Sequence, residues 1–251
     1  MSDDVLLRAE GLSKSFAGFV AVKDVSLDVR QGTIHALIGP NGAGKTTFFN
    51  LLTRVLGVTS GRILYKGRDI TAAKPHEVAR LGIVRSFQIS ATFPHLTARE
   101  NVRIALQRFR RDTYAFWRPD SVLSALDDRA DALLAEVGLE DQAHRPAAEL
   151  PYGRKRALEL ATTLALEPDL LLLDEPTSGM AHEDIGRIVA LIRRVAASRT
   201  VLMVEHNLSV VADLSHRITV MQRGEILADG NYQEVARDPA VIEAYMGARH
   251  E

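Results

Sequence analysis

The segment Gly39-Pro40-Asn41-Gly42-Ala43-Gly44-Lys45-Thr46 constrains this chain more than any other. It satisfies G-x-x-x-x-G-K-[ST], and its flanks are the ones that pattern requires. A compact apolar run, Ile34-His35-Ala36-Leu37-Ile38, precedes it, and a helical stripe at Phe48, Leu51, Leu52, Val55 and Leu56 follows, closed by Gly57. The spacing therefore predicts strand, loop and helix in succession. Glycines let backbone N–H groups turn inward around phosphate oxygens, and the helix start adds the positive end of its dipole. Lys45 is placed to reach the β and γ phosphates, and the Thr46 hydroxyl to ligate Mg²⁺. Gly39, Asn41, Gly42, Ala43, Gly44, Lys45, Thr46 and Thr47 are the candidate cofactor-binding residues of this loop.

Two later runs fit a sheet that carries such a loop. Leu170-Leu171-Leu172-Leu173-Asp174-Glu175 is a fully apolar strand ending in two acids, and in open parallel sheets the ligand lies beyond the carboxyl ends of the strands. Asp174 is the candidate Mg²⁺ ligand, directly or through water, and Glu175 the candidate general base for an attacking water. Val201-Leu202-Met203-Val204-Glu205-His206 is a second buried strand with a polar end, which places His206 to reach a γ-phosphate. The other histidines show no metal-ligand spacing.

Around these runs the chain alternates in an α/β manner. The first 70 residues show apolar alternation broken at Gly11, Gly18 and Gly32, which predicts antiparallel strands. Residues 95–165 lose strand-like runs and become charged and helical, with windows near 98–108, 121–137 and 152–166, as expected of a helical insert. Strands then return at 170–173, 201–204 and 217–221, with a helical window at 183–197, the alternation of a parallel sheet. No internal repeat or separating linker stands out.

Composition removes several function classes. Among 251 residues, 31 Lys and Arg meet 32 Asp and Glu, so bulk charge gives no reason to expect a nucleic-acid partner. There is no cysteine, so no disulfide or thiol chemistry is available and a reducing compartment fits. The acidic start, Met1-Ser2-Asp3-Asp4, is unlike a signal peptide, and the Leu170–Leu173 run is far short of the ~20 apolar residues of a membrane span. Any membrane association is expected to come through a partner.

With these motifs in order, the chain resembles the nucleotide-binding subunit of ABC transporters over about residues 5 to 247. Phe16 stands where that family stacks an aromatic ring on adenine, with Val22 beside it as a further cofactor-binding candidate; Gln88, in Val84-Arg85-Ser86-Phe87-Gln88, matches the glutamine that touches the Mg²⁺ site and reports to the membrane partner. Leu150-Pro151-Tyr152-Gly153-Arg154 stands at the LSGGQ signature, which adds Leu150, Tyr152, Gly153 and Arg154 to the cofactor-binding set. Thr177-Ser178-Gly179-Met180 follows the acids as the D-loop does, and His206 matches the switch histidine. Arg85-Ser86-Phe87-Gln88, the Tyr-Gly pair, Val204-Glu205-His206-Asn207 and Ala244-Tyr245-Met246-Gly247 look like the branched-chain amino acid importer branch, to which urea uptake and lipopolysaccharide export ATPases are related.

The resemblance implies a single domain over 5–250. It would hold a P-loop NTPase (RecA-like) α/β core with an N-terminal antiparallel β subdomain in 5–94 and 166–250, and an inserted α-helical subdomain in 95–165. It implies ATP hydrolysis with ATP and Mg²⁺, Lys45, Gln88, Glu175 and His206 as catalytic residues, and Thr46, Gln88 and Asp174 at the metal. The implied partners are a second ATPase subunit in a homo- or heterodimer, transmembrane permease subunits and, indirectly, a solute-binding protein. The implied place is the cytoplasmic face of the cell membrane. A regulatory domain that some importers carry after this point is not expected.

Three residues depart from the family pattern. Pro151 replaces the signature serine and removes a hydroxyl and an N–H, Arg154 replaces a glutamine, and Ala181 stands where the D-loop often has Asp. They motivate an alternative reading, a nucleotide-gated switch with little hydrolysis, against which the intact Glu175 and His206 argue. A basic and aromatic arm, in which Arg103, Arg108, Arg110, Arg111 and Arg118 interleave with Phe109, Tyr114, Phe116 and Trp117, fits a solvated surface, a contact with anionic headgroups or the membrane partner, or, against the near-zero net charge, nucleic acid.

Overall fold

Strands β1 (Val5–Phe16) and β2 (Phe19–Arg30) open the fold as an antiparallel hairpin whose two-residue turn, Ala17-Gly18, has positive φ at both positions, the geometry that matches strand twist. The computed structural model describes residues 4–86, 92–107 and 126–247. Gly11 does not end a strand, as the sequence suggested. With φ of +57° it sits at a register shift inside β1, where a bulge absorbs the left-handed residue without breaking the pairing. Strand β4 (Ser60–Tyr65) pairs on the other side of β1, followed by the short β5 (Arg68–Asp69), in the order β2-β1-β4-β5.

The second sheet runs β10-β9-β3-β8-β7-β6. Its members are β3 (Ile34–Ile38), β6 (Ile83–Ser86), β7 (Leu170–Asp174), β8 (Thr200–Val204), β9 (Arg217–Gln222) and β10 (Glu225–Gly230). Pairs β3–β8, β3–β9 and β7–β8 are parallel, and β10 closes one edge antiparallel to β9. Every residue of β3, β7 and β8 is buried, which is why these strands read as unbroken apolar runs rather than as alternations. The loops that leave their carboxyl ends begin at Gly39, Glu175 and Glu205.

Helix α1 (Lys45–Leu52) buries Phe48, Phe49, Leu51 and Leu52 in one core cluster with residues of both sheets. The sequence stripe predicted that it continues through Val55 and Leu56, but it stops a turn earlier. Thr53 Oγ1 donates back to the Phe49 carbonyl, Arg54 takes φ of +59°, and the chain turns so that Leu56 packs on the core from outside the helix while Val55 is exposed.

Among the described residues the remaining α-helices are α2 (Pro75–Arg80), α3 (Ala98–Leu106), α4 (Asp127–Glu136), α5 (Tyr152–Leu164), α6 (His182–Ala196), α7 (Leu208–Leu214), α8 (Tyr232–Arg237) and α9 (Pro239–Gly247). The chain divides into two compact units. One takes Met1–Arg85, Asp169–Thr177 and Ala196–Glu251 and carries both sheets; the other takes Ser86–Pro168 and Ser178–Val195 and is helical. In the helical unit a Thr97 and Glu100 capping box starts α3, and Asn101 ties the preceding loop to that helix through bonds with Phe93, Leu96 and Thr97.

Candidate active site

The loop between β3 and α1 passes too close to neighbouring backbone for any residue but glycine at two points. A Cβ on Gly39, at φ of +146°, would lie 2.1 Å from the Met221 carbonyl oxygen, and one on Gly44, at +98°, 2.5 Å from that of Ala21. Strands β9 and β2 thus press on the loop from outside. Within it Ala43 N–H donates to Pro40 at 3.2 Å, and the Ala43 carbonyl accepts from Gly224 N–H at 3.0 Å. Lys45 curls back over the loop, its Nζ donating to the Gly39 and Pro40 carbonyls at 2.7 and 2.9 Å. Burial lowers its pKa, an effect that the charges of Glu175 and Asp174 oppose.

Helix α1 has no side-chain cap and no acidic residue in its first turn. The N–H groups of its first turn are therefore unanswered by any side chain, and the positive end of the helix is open to an anion. Asn41, Gly42 and Thr46 are exposed and Thr47 half-buried, so the loop presents its backbone and one hydroxyl outward. Phe16 lies at the exposed hairpin tip with Lys14 Nζ 5.0 Å from its ring centroid. Val22 and Ala43 are buried in the core, so their side chains present no surface to a ligand.

Beside the loop, Asp174 ends β7 nearly buried and is ion-paired with Arg85 at the end of β6, whose other nitrogen donates to Asn50 Oδ1. Glu175 follows in the left-handed region at φ of +49°, its N–H donating to the Val204 carbonyl at 2.9 Å. That turn brings Glu175 Oε1 to 2.7 Å from His206 Nε2 at the end of β8, across 31 residues of sequence. Gln88, the remaining metal and catalytic candidate, lies outside the described residues, as does the basic and aromatic arm from Arg108 to Arg118.

The signature segment belongs to the helical unit. Leu150 is buried, Pro151 is the N-cap of α5, and this helix too starts without a side-chain cap or an acidic first turn. Tyr152 is exposed, and its hydroxyl donates to the Ser178 carbonyl and accepts from Arg156. Gly153 packs against Asp184, whose carboxylate would lie 3.2 to 3.4 Å from a Cβ there. The Arg154 guanidinium donates to the Gly138 carbonyl at the end of α4, so it serves to hold α5 to α4.

Three residues of the sheet unit join these groups without having been singled out as site residues. Arg85 holds Asp174, the Glu205 carboxylate accepts from the His206 N–H, and the Tyr245 hydroxyl of α9 lies near the Gly39 backbone, its pKa pushed up to about 12 by burial. The sequence offered one cue: each falls in a segment marked as characteristic of one importer branch.

A glycine-shaped anion cradle on a parallel sheet, with a carboxylate pair and a histidine at the adjoining strand ends, defines a P-loop nucleotide-binding protein. Comparison with known proteins makes the assignment more particular. The ABC transporter family profile matches residues 22–178, and the branched-chain amino acid ATP-binding cassette transporter profile matches 225–251. The chain belongs to the ABC transporter family, and its chemistry is ATP hydrolysis coupled to transport. It is 38% identical to the high-affinity branched-chain amino acid transport ATP-binding protein LivG of Salmonella typhimurium, over 96% of this chain and 98% of that one. It is 37% identical, with the same coverage, to BraF of Pseudomonas aeruginosa, described in the same words. Among solved structures, the ADP conformation of an ATP-binding cassette of an ABC transporter superposes with a TM-score of 0.84 at 30% identity, covering 97% of this chain and 99% of that one. Among the described residues no helix is long and apolar enough to cross a membrane.

Proposed function

We propose that this chain is the ATP-hydrolysing subunit of an importer for branched-chain amino acids. The observation that carries this reading is the 2.7 Å bond between Glu175 and His206 beside an uncapped phosphate loop, in a chain whose relatives are branched-chain amino acid transport ATP-binding proteins. Glu175 is the base that takes the proton of the attacking water at its carboxylate, and His206 holds that carboxylate and senses the γ-phosphate. Lys45 leaves the Gly39 and Pro40 carbonyls for the β and γ phosphates, and the Phe16 ring receives the adenine.

Thr46 and Asp174 would hold Mg²⁺ with ATP, where the ion would supply positive charge against the charge that builds up on the phosphate oxygens. The donors present fit it: one hydroxyl from Thr46 and one carboxylate from Asp174 leave room for the waters and phosphate oxygens that a small, hard cation keeps. Arg85, ion-paired with Asp174, holds that carboxylate at the end of β7. Gln88 is the further ligand we assign to this metal.

The second site component is the signature segment of another subunit, with the uncapped α5 start and Gly153 facing the γ-phosphate across a head-to-tail dimer, which ATP closes and hydrolysis reopens. The motion passes to transmembrane permease subunits at the cytoplasmic face of the cell membrane, and a solute-binding protein delivers the amino acid. Reconstitution with those permeases in vesicles tests this reading. Leucine, isoleucine or valine with the binding protein is expected to raise ATP hydrolysis and drive uptake; stimulation by urea alone, or by none of these solutes, would contradict it.

A further inference from the structure

Glu205 is 2% exposed, yet its carboxylate collects four hydrogen bonds from two separate segments. Oε2 accepts from Thr177 Oγ1 at 2.9 Å and from Thr177 N–H at 3.3 Å, both on the loop that follows Glu175. Oε1 accepts from the N–H groups of His206 at 2.8 Å and Asn207 at 3.0 Å. A buried carboxylate without a cation is tolerated only when donors answer its lone pairs, and here every donor lies within three residues of Glu175 or His206. Asn207 is fixed from its other side, since its Oδ1 accepts from Ser209 and Val210 as the N-cap of α7. His206 therefore projects from backbone that is pinned on both sides. The parallel pairing of β7 and β8 formally ends at Asp174 and Val204. The Glu175 N–H to the Val204 carbonyl, the Glu205 bridge to Thr177 and the His206 to Glu175 bond carry it past the sheet edge.

We propose that Glu205 is a positioning residue, whose single buried carboxylate fixes the loop after β7 against the loop after β8 and so sets the reach of His206 to Glu175. This rests on the reading of Glu175 and His206 as the hydrolytic pair. Glu205 is buried and its carboxylate is fully engaged by Thr177, His206 and Asn207, so its loss is expected to act on turnover and not on ATP binding. In Glu205→Gln one acceptor becomes a donor that faces donors: either the His206 and Asn207 amides or the Thr177 amide loses its partner. In Glu205→Asp the carboxylate is one methylene too short to span both segments.

The test measures kcat and KM for MgATP and the thermal midpoint of the full chain with its permease partners. Hydrolysis by the unmodified chain checks the underlying reading separately, because that rate does not depend on what Glu205 does. Glu205→Gln is expected to lower kcat by about tenfold with KM unchanged within about twofold. In a His206→Ala background the same substitution is expected to cost almost nothing further, since its route to the chemistry is gone. Thr177→Val, which removes one donor and keeps the side-chain shape, is expected to lower kcat by about threefold and serves if the Glu205 variants do not fold. An unchanged kcat in whichever of these variants folds, a loss that appears in KM, or a full loss added to that of His206→Ala would overturn the proposal.

Discussion

At the scale of single residues, the site depends on charges placed where their pairing is fixed by strand ends. Glu175→Gln removes the carboxylate that contacts His206 Nε2 and is assigned to take the proton from water, while leaving Lys45 and the loop intact. We expect this variant to bind MgATP with affinity within about threefold of the unmodified chain and to hydrolyse it at least about a hundredfold more slowly, read by nucleotide titration and phosphate release. His35, by contrast, is a buried histidine in mid-strand whose Nε2 lies 2.8 Å from Thr219 Oγ1. Burial lowers its pKa to about 4, with Asp229 opposing and Arg217 assisting that shift. The unfolded chain, at about 6.5, binds this proton first, so the neutral form stabilises the fold above that pH and the contribution is lost as pH falls from about 6.5 towards 4. Denaturant midpoints at pH 7 and pH 5 check this: the midpoint should drop on acidification, and drop less in His35→Leu. Asp174, Glu175, Lys45 and His206 were legible in the sequence because motif and strand end mark them. Arg85, Glu205 and Tyr245 were not legible as site residues, since each acts through a contact that only the folded chain makes, 89 residues apart for Arg85 and Asp174.

At the scale of elements, the apolar runs of β3, β7 and β8 announced buried parallel strands because both faces of each are covered. The end of α1 was not legible: Val55 and Leu56 continue the helical period, and nothing in their identity reveals that Arg54 adopts a left-handed conformation. Gly11 misled in the same way, since a glycine that breaks a strand and one that bulges it look alike in sequence. The phosphate loop itself is shaped by its neighbours. Gly39→Ala would drive a methyl group into the Met221 carbonyl, so β9 or the loop must shift. We expect a fall in stability of more than about 1 kcal/mol together with loss of nucleotide binding, measured by thermal unfolding and titration on the same sample. Gly42→Ala meets nothing within 4 Å, and its cost should be the smaller one of positive φ alone.

For the whole molecule, the sheet unit holds a phosphate loop, an acid pair and a histidine, and the helical unit presents the uncapped helix start that follows Pro151. The claim on which the account rests is that two copies of such a chain, or this chain and a close relative, complete each hydrolytic site. MgATP hydrolysis by the purified chain across a range of protein concentrations, with Glu175→Gln as the blank, tests it most directly. The account predicts a specific rate that rises with concentration and vanishes in the variant; a rate independent of concentration, or undiminished in Glu175→Gln, would contradict it.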